Sequence, residues 1–177
     1  MASGELTAEA LINDWRGQLH ARGIADGNIV DWLLWWDNAL LHGLRPLLPE
    51  GRLAIALRDP RDMLLDWLSY GAPAPRAVVA PEQAARWLAT MLDQVATLHE
   101  HALYPHHLIR LDGIESDPEG ITRVLGEAFG QAFPVVPSLG AQRLRAGRWR
   151  DYAQLLAAPF ATLAPVAARL GYPVAEF

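Results

Sequence analysis

The sequence of 177 residues contains no lysine and no cysteine. The absence of cysteine excludes disulfides, zinc fingers, iron–sulfur clusters and thiol catalysis. The absence of lysine excludes Schiff-base chemistry and phosphate loops of the GxxxxGK[ST] type. All 15 basic residues are therefore arginine, and the 20 acidic residues outnumber them. This balance argues against a broad nucleic-acid interface.

Long hydrophobic runs and targeting signals are also missing. The N-terminus has no basic region followed by an apolar stretch, so it does not indicate a secretory signal. The longest uncharged run, residues 152–168, is too short to span a membrane and contains two prolines. With 51% hydrophobic and 20% charged residues, the composition is typical of a globular protein. We therefore expect a single domain over residues 1–177, cytoplasmic, with neither a membrane nor a nucleic acid as partner.

Hydrophobic periodicity predicts helices that alternate with short strands. The predicted strands are a short run near residues 29–30, then 52–57 and 107–111. The predicted helices are 6–21, 33–48, 60–68, 81–102 and 118–129, followed by C-terminal helical segments that Pro159 and Pro165 break. On the long helix, Trp87 and Met91 are expected on the apolar face. This alternation predicts an α/β fold with a parallel sheet.

The most informative stretch is the strand 53–57 followed by Arg58-Asp59-Pro60-Arg61-Asp62. An arginine at the carboxyl end of a parallel strand lies where such sheets bind ligands, and the helix that follows offers free N–H groups to an anion. Arg58 and Arg61 are then candidates for bidentate contacts to a phosphate. The alternative is that Arg58 pairs with Asp62 one helical turn away, while Asp59 caps the helix. The spacing alone does not decide between the two.

This stretch resembles the second signature of the sulfotransferases that use 3′-phosphoadenosine 5′-phosphosulfate, a strand followed by Arg-x-Pro-x-Asp. One similar stretch precedes it at residues 29–49, and three follow it in the family's order, at residues 110–119, 147–152 and 169–172. Together they extend over residues 28–173, after an N-terminal helix within residues 1–27. The closing Leu-Gly-Tyr is similar to bacterial members fused to tetratricopeptide repeats and to the tyrosyl-protein sulfotransferase branch.

The resemblance implies a three-layer α/β fold, a parallel sheet flanked by helices as in nucleoside kinases, without the first strand and phosphate loop. It implies transfer of a sulfuryl group from 3′-phosphoadenosine 5′-phosphosulfate to a hydroxyl, with no metal. By the same resemblance, the candidate residues for binding the nucleotide are Arg58, Ser69, Arg143, Arg145 and Arg148.

The chain also departs from the family's pattern. No stretch matches the loop that holds the 5′-phosphosulfate, and no catalytic base is identified. The family's serine eight residues after the motif arginine, a 3′-phosphate ligand, is Asp66 here, and Ser69 is a partial substitute one turn later. A carboxylate within about 4 Å of a phosphate repels it by roughly a kcal/mol. Two interpretations stay open: an enzyme completed by a segment outside this chain, or a non-catalytic nucleotide-binding or protein-interaction module derived from the fold.

Three other groups of residues, and His42 by itself, allow a functional and a structural interpretation. Trp32, Trp35 and Trp36 form a helical stripe, typical of a core but also suited to dock a protein partner or a tetratricopeptide region. The arginines at 143–150 either bind an anion or form a solvated surface near Asp151. The histidines at 99, 101, 106 and 107 do not have metal-ligand spacing, with His99 and His101 expected to point in different directions. His42 is a candidate general base or a structural histidine.

Overall fold

The computed structural model describes residues 8–24, 38–70, 80–114, 117–135 and 145–174. Within these ranges the chain is mostly helical, with two short strands and one turn of 3₁₀ helix. The elements in order are α1 (Ala8–Ala21), α2 (Asn38–Leu47), β1 (Leu53–Leu57), α3 (Pro60–Tyr70), α4 (Pro81–Glu100), β2 (His106–Arg110), α5 (Pro118–Phe129), the 3₁₀ helix (Arg148–Tyr152) and α6 (Ala157–Arg169).

The two strands form a parallel sheet in which Leu53 lies opposite His106 and Leu57 lies opposite Arg110. The expectation of a mixed α/β fold with parallel strands is therefore confirmed. In the part of the chain that the structure describes, however, the sheet has two strands and not the three that were expected. The strand expected near residues 29–30 lies outside the described residues. The three-layer sulfotransferase fold stays a prediction.

The core lies between α4 and α6, and α3 packs against both of these helices. Helix α4 buries Ala84, Leu88 and Leu92 in a row at four-residue intervals, and α6 contributes Phe160 and Leu163, which are fully buried. Side chains four apart lie on one face of a helix, so this row packs continuously against its neighbours. The sheet adds Ile55 and Leu57 of β1 and Ile109 of β2 to the buried set.

Trp87 and Met91 correct the expectation for the long helix. They are 41% and 36% exposed, although the sequence placed them on the apolar face. Each precedes a residue of the buried row by one position, and one position is about 100° around a helix. The aromatic ring and the thioether therefore face outward.

The prolines near the C-terminus correct a second expectation. Pro159 and Pro165 both lie inside α6, which runs unbroken from Ala157 to Arg169. Pro159 is the third residue of the helix, where a backbone N–H would have no intrahelical acceptor, so its missing donor costs little. Pro165 is exposed, while Leu163 and Val166 beside it are buried. Tertiary packing of these two residues against the core offsets the lost hydrogen bond.

Candidate functional site at the end of strand β1

The N-terminus of α3 is capped by the side-chain carboxylate of Asp59. Asp59 Oδ1 accepts a hydrogen bond from the backbone N–H of Arg61 at 2.9 Å, which confirms Asp59 as the cap of this helix. The Asp59 carboxylate also accepts two hydrogen bonds from the Arg61 guanidinium, from Nε at 2.8 Å and from Nη2 at 2.6 Å. The bidentate contact expected of Arg61 is present, but its anion is Asp59 and not a ligand.

Arg61 is buried between this carboxylate and an aromatic ring. Its Cζ atom lies 3.6 Å from the centroid of the Trp149 ring, a cation–π contact, and its Nη2 donates to the backbone carbonyl of Pro173 at 3.1 Å. The Arg61 side chain is only 5% exposed. A guanidinium stacked on tryptophan and bound by a carboxylate is a fixed part of the fold.

Asp62 holds the turn that precedes the 3₁₀ helix. Its two carboxylate oxygens accept hydrogen bonds from the backbone N–H groups of Gly147 at 2.6 Å and Trp149 at 2.9 Å. Burial raises the pKa of the Asp62 carboxyl, and these two hydrogen bonds offset part of that effect. Because both donors flank Arg148, Asp62 fixes the backbone from which the Arg148 side chain extends.

The end of strand β2 joins the same network through Asp112. Its Oδ1 accepts the backbone N–H of Asp59 at 3.1 Å, and its Oδ2 accepts the Tyr172 hydroxyl at 3.0 Å. Burial and the Asp112 carboxylate raise the pKa of Tyr172. Asp112 therefore ties the ends of both strands to the C-terminal Leu-Gly-Tyr stretch.

Arg58 forms a pair that the sequence did not predict. Its Nη1 lies 2.6 Å from Oδ2 of Asp66, two turns into α3, so the ion pair that the structure describes is with Asp66 and not with Asp62, the partner in one of the two interpretations. The two side chains are 16% and 25% exposed, so the pair lies at the surface edge of the buried network. Burial raises the pKa of Asp66, whereas the charges of Arg58 and, more weakly, Arg148 lower it. These three residues, Arg58, Asp66 and Arg148, are called the strand-end site below.

The candidate residues other than Arg58 differ in their exposure and in their partners. Ser69 is exposed on α3, one turn after Asp66. Arg148 is half-buried and donates from Nη2 to the Tyr152 hydroxyl at 3.3 Å. Arg145 is 78% exposed and lies 3.7 Å from Asp151, the solvated arrangement that was one of the two alternatives. Arg143 and the tryptophan stripe at residues 32–36 lie outside the described residues.

The histidines form one contact that spacing did not suggest. His99 Nδ1 lies 2.9 Å from His106 Nε2, and His106 Nδ1 lies 2.8 Å from the carbonyl of Tyr104. The pair joins the end of α4 to the start of β2, at the opposite end of the sheet from the strand-end site. No group of three or more potential metal-ligating side chains occurs within the described ranges. His42 is exposed on α2.

Sequence reasoning missed the residues that hold the site together. Trp149, Asp112 and Tyr172 were noted only as members of similar stretches, without a structural role. The signal was available, because each of these stretches contains a polar or aromatic residue beside a glycine or a strand end. What periodicity does not reveal is that stretches more than fifty residues apart bind one another.

Comparison with family models, with curated proteins and with solved structures finds no match to this chain. The similarity to sulfotransferases therefore rests on the residues themselves. Among the helices of the described residues, none combines the length and the apolar character that crossing a membrane requires.

Proposed function

We propose that this chain is a sulfotransferase-like domain that binds an adenine nucleotide at the strand-end site without itself supplying the groups for sulfuryl transfer. The observation that carries the proposal is the convergence of four of the five similar stretches. Residues 58–62, Asp112, the turn at 147–149 and Tyr172 are joined by direct hydrogen bonds. Stretches that were selected only for their similarity and order thus meet at one place.

That place suits a ligand by its position in the fold. In open α/β sheets, ligands bind outside the carboxyl ends of the strands, and Arg58 directly follows β1. Arg58 and Arg148 bring two guanidinium groups there, and Arg58 is within reach of solvent. Arginine is well suited to nucleotide recognition because its planar group donates bidentate hydrogen bonds.

The contacts within the network favour binding over catalysis. The N-terminus of α3, the position where a phosphate would receive backbone N–H groups, is capped by Asp59. Arg61, the second arginine of the motif, is bound by the same carboxylate and is buried. In-line group transfer depends on positioned donors that stabilise the transferring group, and both of these donors are engaged by the chain itself.

Calorimetric titration with adenosine 5′-phosphate and with adenosine 3′,5′-bisphosphate tests the proposal. We expect wild type to bind at least one of them, and Arg58→Ala to weaken that binding about tenfold or more, the loss of one charge-assisted contact. Arg123→Ala is the matched control, since Arg123 is 66% exposed on α5 and pairs with Glu127 in the same helix. If wild type binds neither nucleotide, the proposal is wrong and the protein-interaction alternative takes its place.

A further inference from the structure

The Arg58 guanidinium already has an anion. Asp66 Oδ2 lies 2.6 Å from its Nη1, which is a charge-assisted hydrogen bond and not a loose approach. Any group that binds Arg58 at this site therefore meets the pair and not an isolated cation. A second anion at the same guanidinium must either displace Asp66 or lie beside its negative charge.

Within the described residues, the charged groups that act on Asp66 come from three places in the chain. They are Arg58 after β1, Asp62 within α3 and Arg148 in the 3₁₀ helix. Together with Asp66 itself these are two guanidinium and two carboxyl groups. A phosphate dianion would add negative charge to a group of described side chains whose formal charges already cancel, and it would lie close to the like charge of Asp66.

Asp66 also has hydrogen-bonding capacity left over. Among the described residues, its buried Oδ1 atom finds no hydrogen-bond partner, whereas an ionised carboxylate can accept hydrogen bonds at both oxygens. A 3′-phosphate dianion has no donor to offer it. A ribose hydroxyl has both functions, because its oxygen accepts from a guanidinium while its O–H donates to a carboxylate.

We propose that the Arg58–Asp66 pair selects a nucleotide with free ribose hydroxyls and rejects one that carries a 3′-phosphate. Dinucleotide-binding folds make the same distinction at the neighbouring hydroxyl, with an acidic residue for the free ribose and an arginine for the phosphorylated one. The inference rests on the proposed function, since it specifies the ligand of the same site. Asp66 is then the residue that determines specificity, and Arg58 binds the ligand in either case.

The test compares two ligands that differ only in the 3′-phosphate, adenosine 5′-phosphate and adenosine 3′,5′-bisphosphate, by calorimetric titration. We expect wild type to bind the monophosphate at least about tenfold more tightly, and Asp66→Ser to reverse the order, because it removes the repelling charge and releases Arg58. Asp66→Asn is a second variant that keeps the side-chain size, and it should lose the preference without a cavity. Asp93→Ser is the matched control, on an exposed aspartate of α4.

The outcomes separate the two proposals. A wild type that prefers the bisphosphate, or an Asp66→Ser variant that keeps the preference for the monophosphate, overturns the role of Asp66 while nucleotide binding stands. If wild type and both Asp66 variants all fail to bind either ligand, the proposed function and this inference fail together. Circular dichroism of each variant establishes beforehand that it is folded.

Discussion

Arg61 and Arg169 each bind a carboxylate together with other groups, but in opposite surroundings. Arg61 is 5% exposed, between Asp59 and the Trp149 ring, at the carboxyl end of the sheet. Arg169 is 33% exposed at the end of α6, where it bonds to Asp93, Thr97 and Glu100 of α4. Arg169 has more carboxylate partners, yet water competes for all of them. We therefore expect burial, and not the number of contacts, to determine how much each arginine contributes to the free energy of unfolding.

The largest expected effect follows the removal of Arg61. Arg61→Ala leaves Asp59 as a buried carboxylate without its partner, which costs about 3–5 kcal/mol of unfolding free energy. Arg61→Met keeps the apolar contact with Trp149 and removes only the charge. We therefore expect it to lose most of the unfolding free energy that Arg61→Ala loses. Denaturant unfolding at neutral pH measures both variants. A wild-type stability for Arg61→Met would show that the ion pair does not stabilise this end of the sheet.

The next effect is expected at Asp62, which binds two backbone N–H groups. Asp62→Asn keeps one acceptor and places an amide NH₂ against the second N–H, so one buried donor loses its partner. We expect a loss of about 1–3 kcal/mol, measured by denaturant unfolding. Asp151→Asn is the control, because Asp151 is 60% exposed, and we expect a change within about 0.5 kcal/mol. Equal losses in the two variants would contradict the role assigned to Asp62.

Much of the local structure could be predicted from the sequence because its signals are local. The apolar run at 52–57 and the Asp-Pro helix start predicted β1 and α3 to within a residue or two of the observed Leu53–Leu57 and Pro60–Tyr70. The sequence predicted that the prolines break α6, because proline has a low intrinsic helix propensity. Packing of the flanking residues against the core outweighs that low propensity, and such packing cannot be inferred from the position of a proline in the sequence.

The position of Arg58 directly after β1 was predictable from the sequence, but its contacts were not. One of the two interpretations paired Arg58 with Asp62, because residues four apart face each other on a helix. Arg58 precedes the helix, however, so that rule does not apply to it, and its side chain runs along α3 to Asp66. The contacts of Asp62, Asp112 and Tyr172 connect stretches between 53 and 87 residues apart, which no spacing rule reaches.

The smallest effect is expected at Arg169, and it completes the comparison. Arg169→Ala removes hydrogen bonds to three residues of α4, but all the groups involved become hydrated, so we expect a clearly smaller loss of unfolding free energy than for Arg61→Ala.

Arg169 lowers the pKa of Glu100 from its ordinary value of 4.5. The pair therefore stabilises the fold above that pH, and its contribution disappears as the pH falls through the lowered pKa. The difference between wild type and Arg169→Ala should also shrink in concentrated salt, whereas the effect of Arg61→Met should not. Parallel denaturant unfolding at low and high salt measures both, and a loss at Arg169 that equals the one at Arg61 would show that the number of contacts matters more than burial.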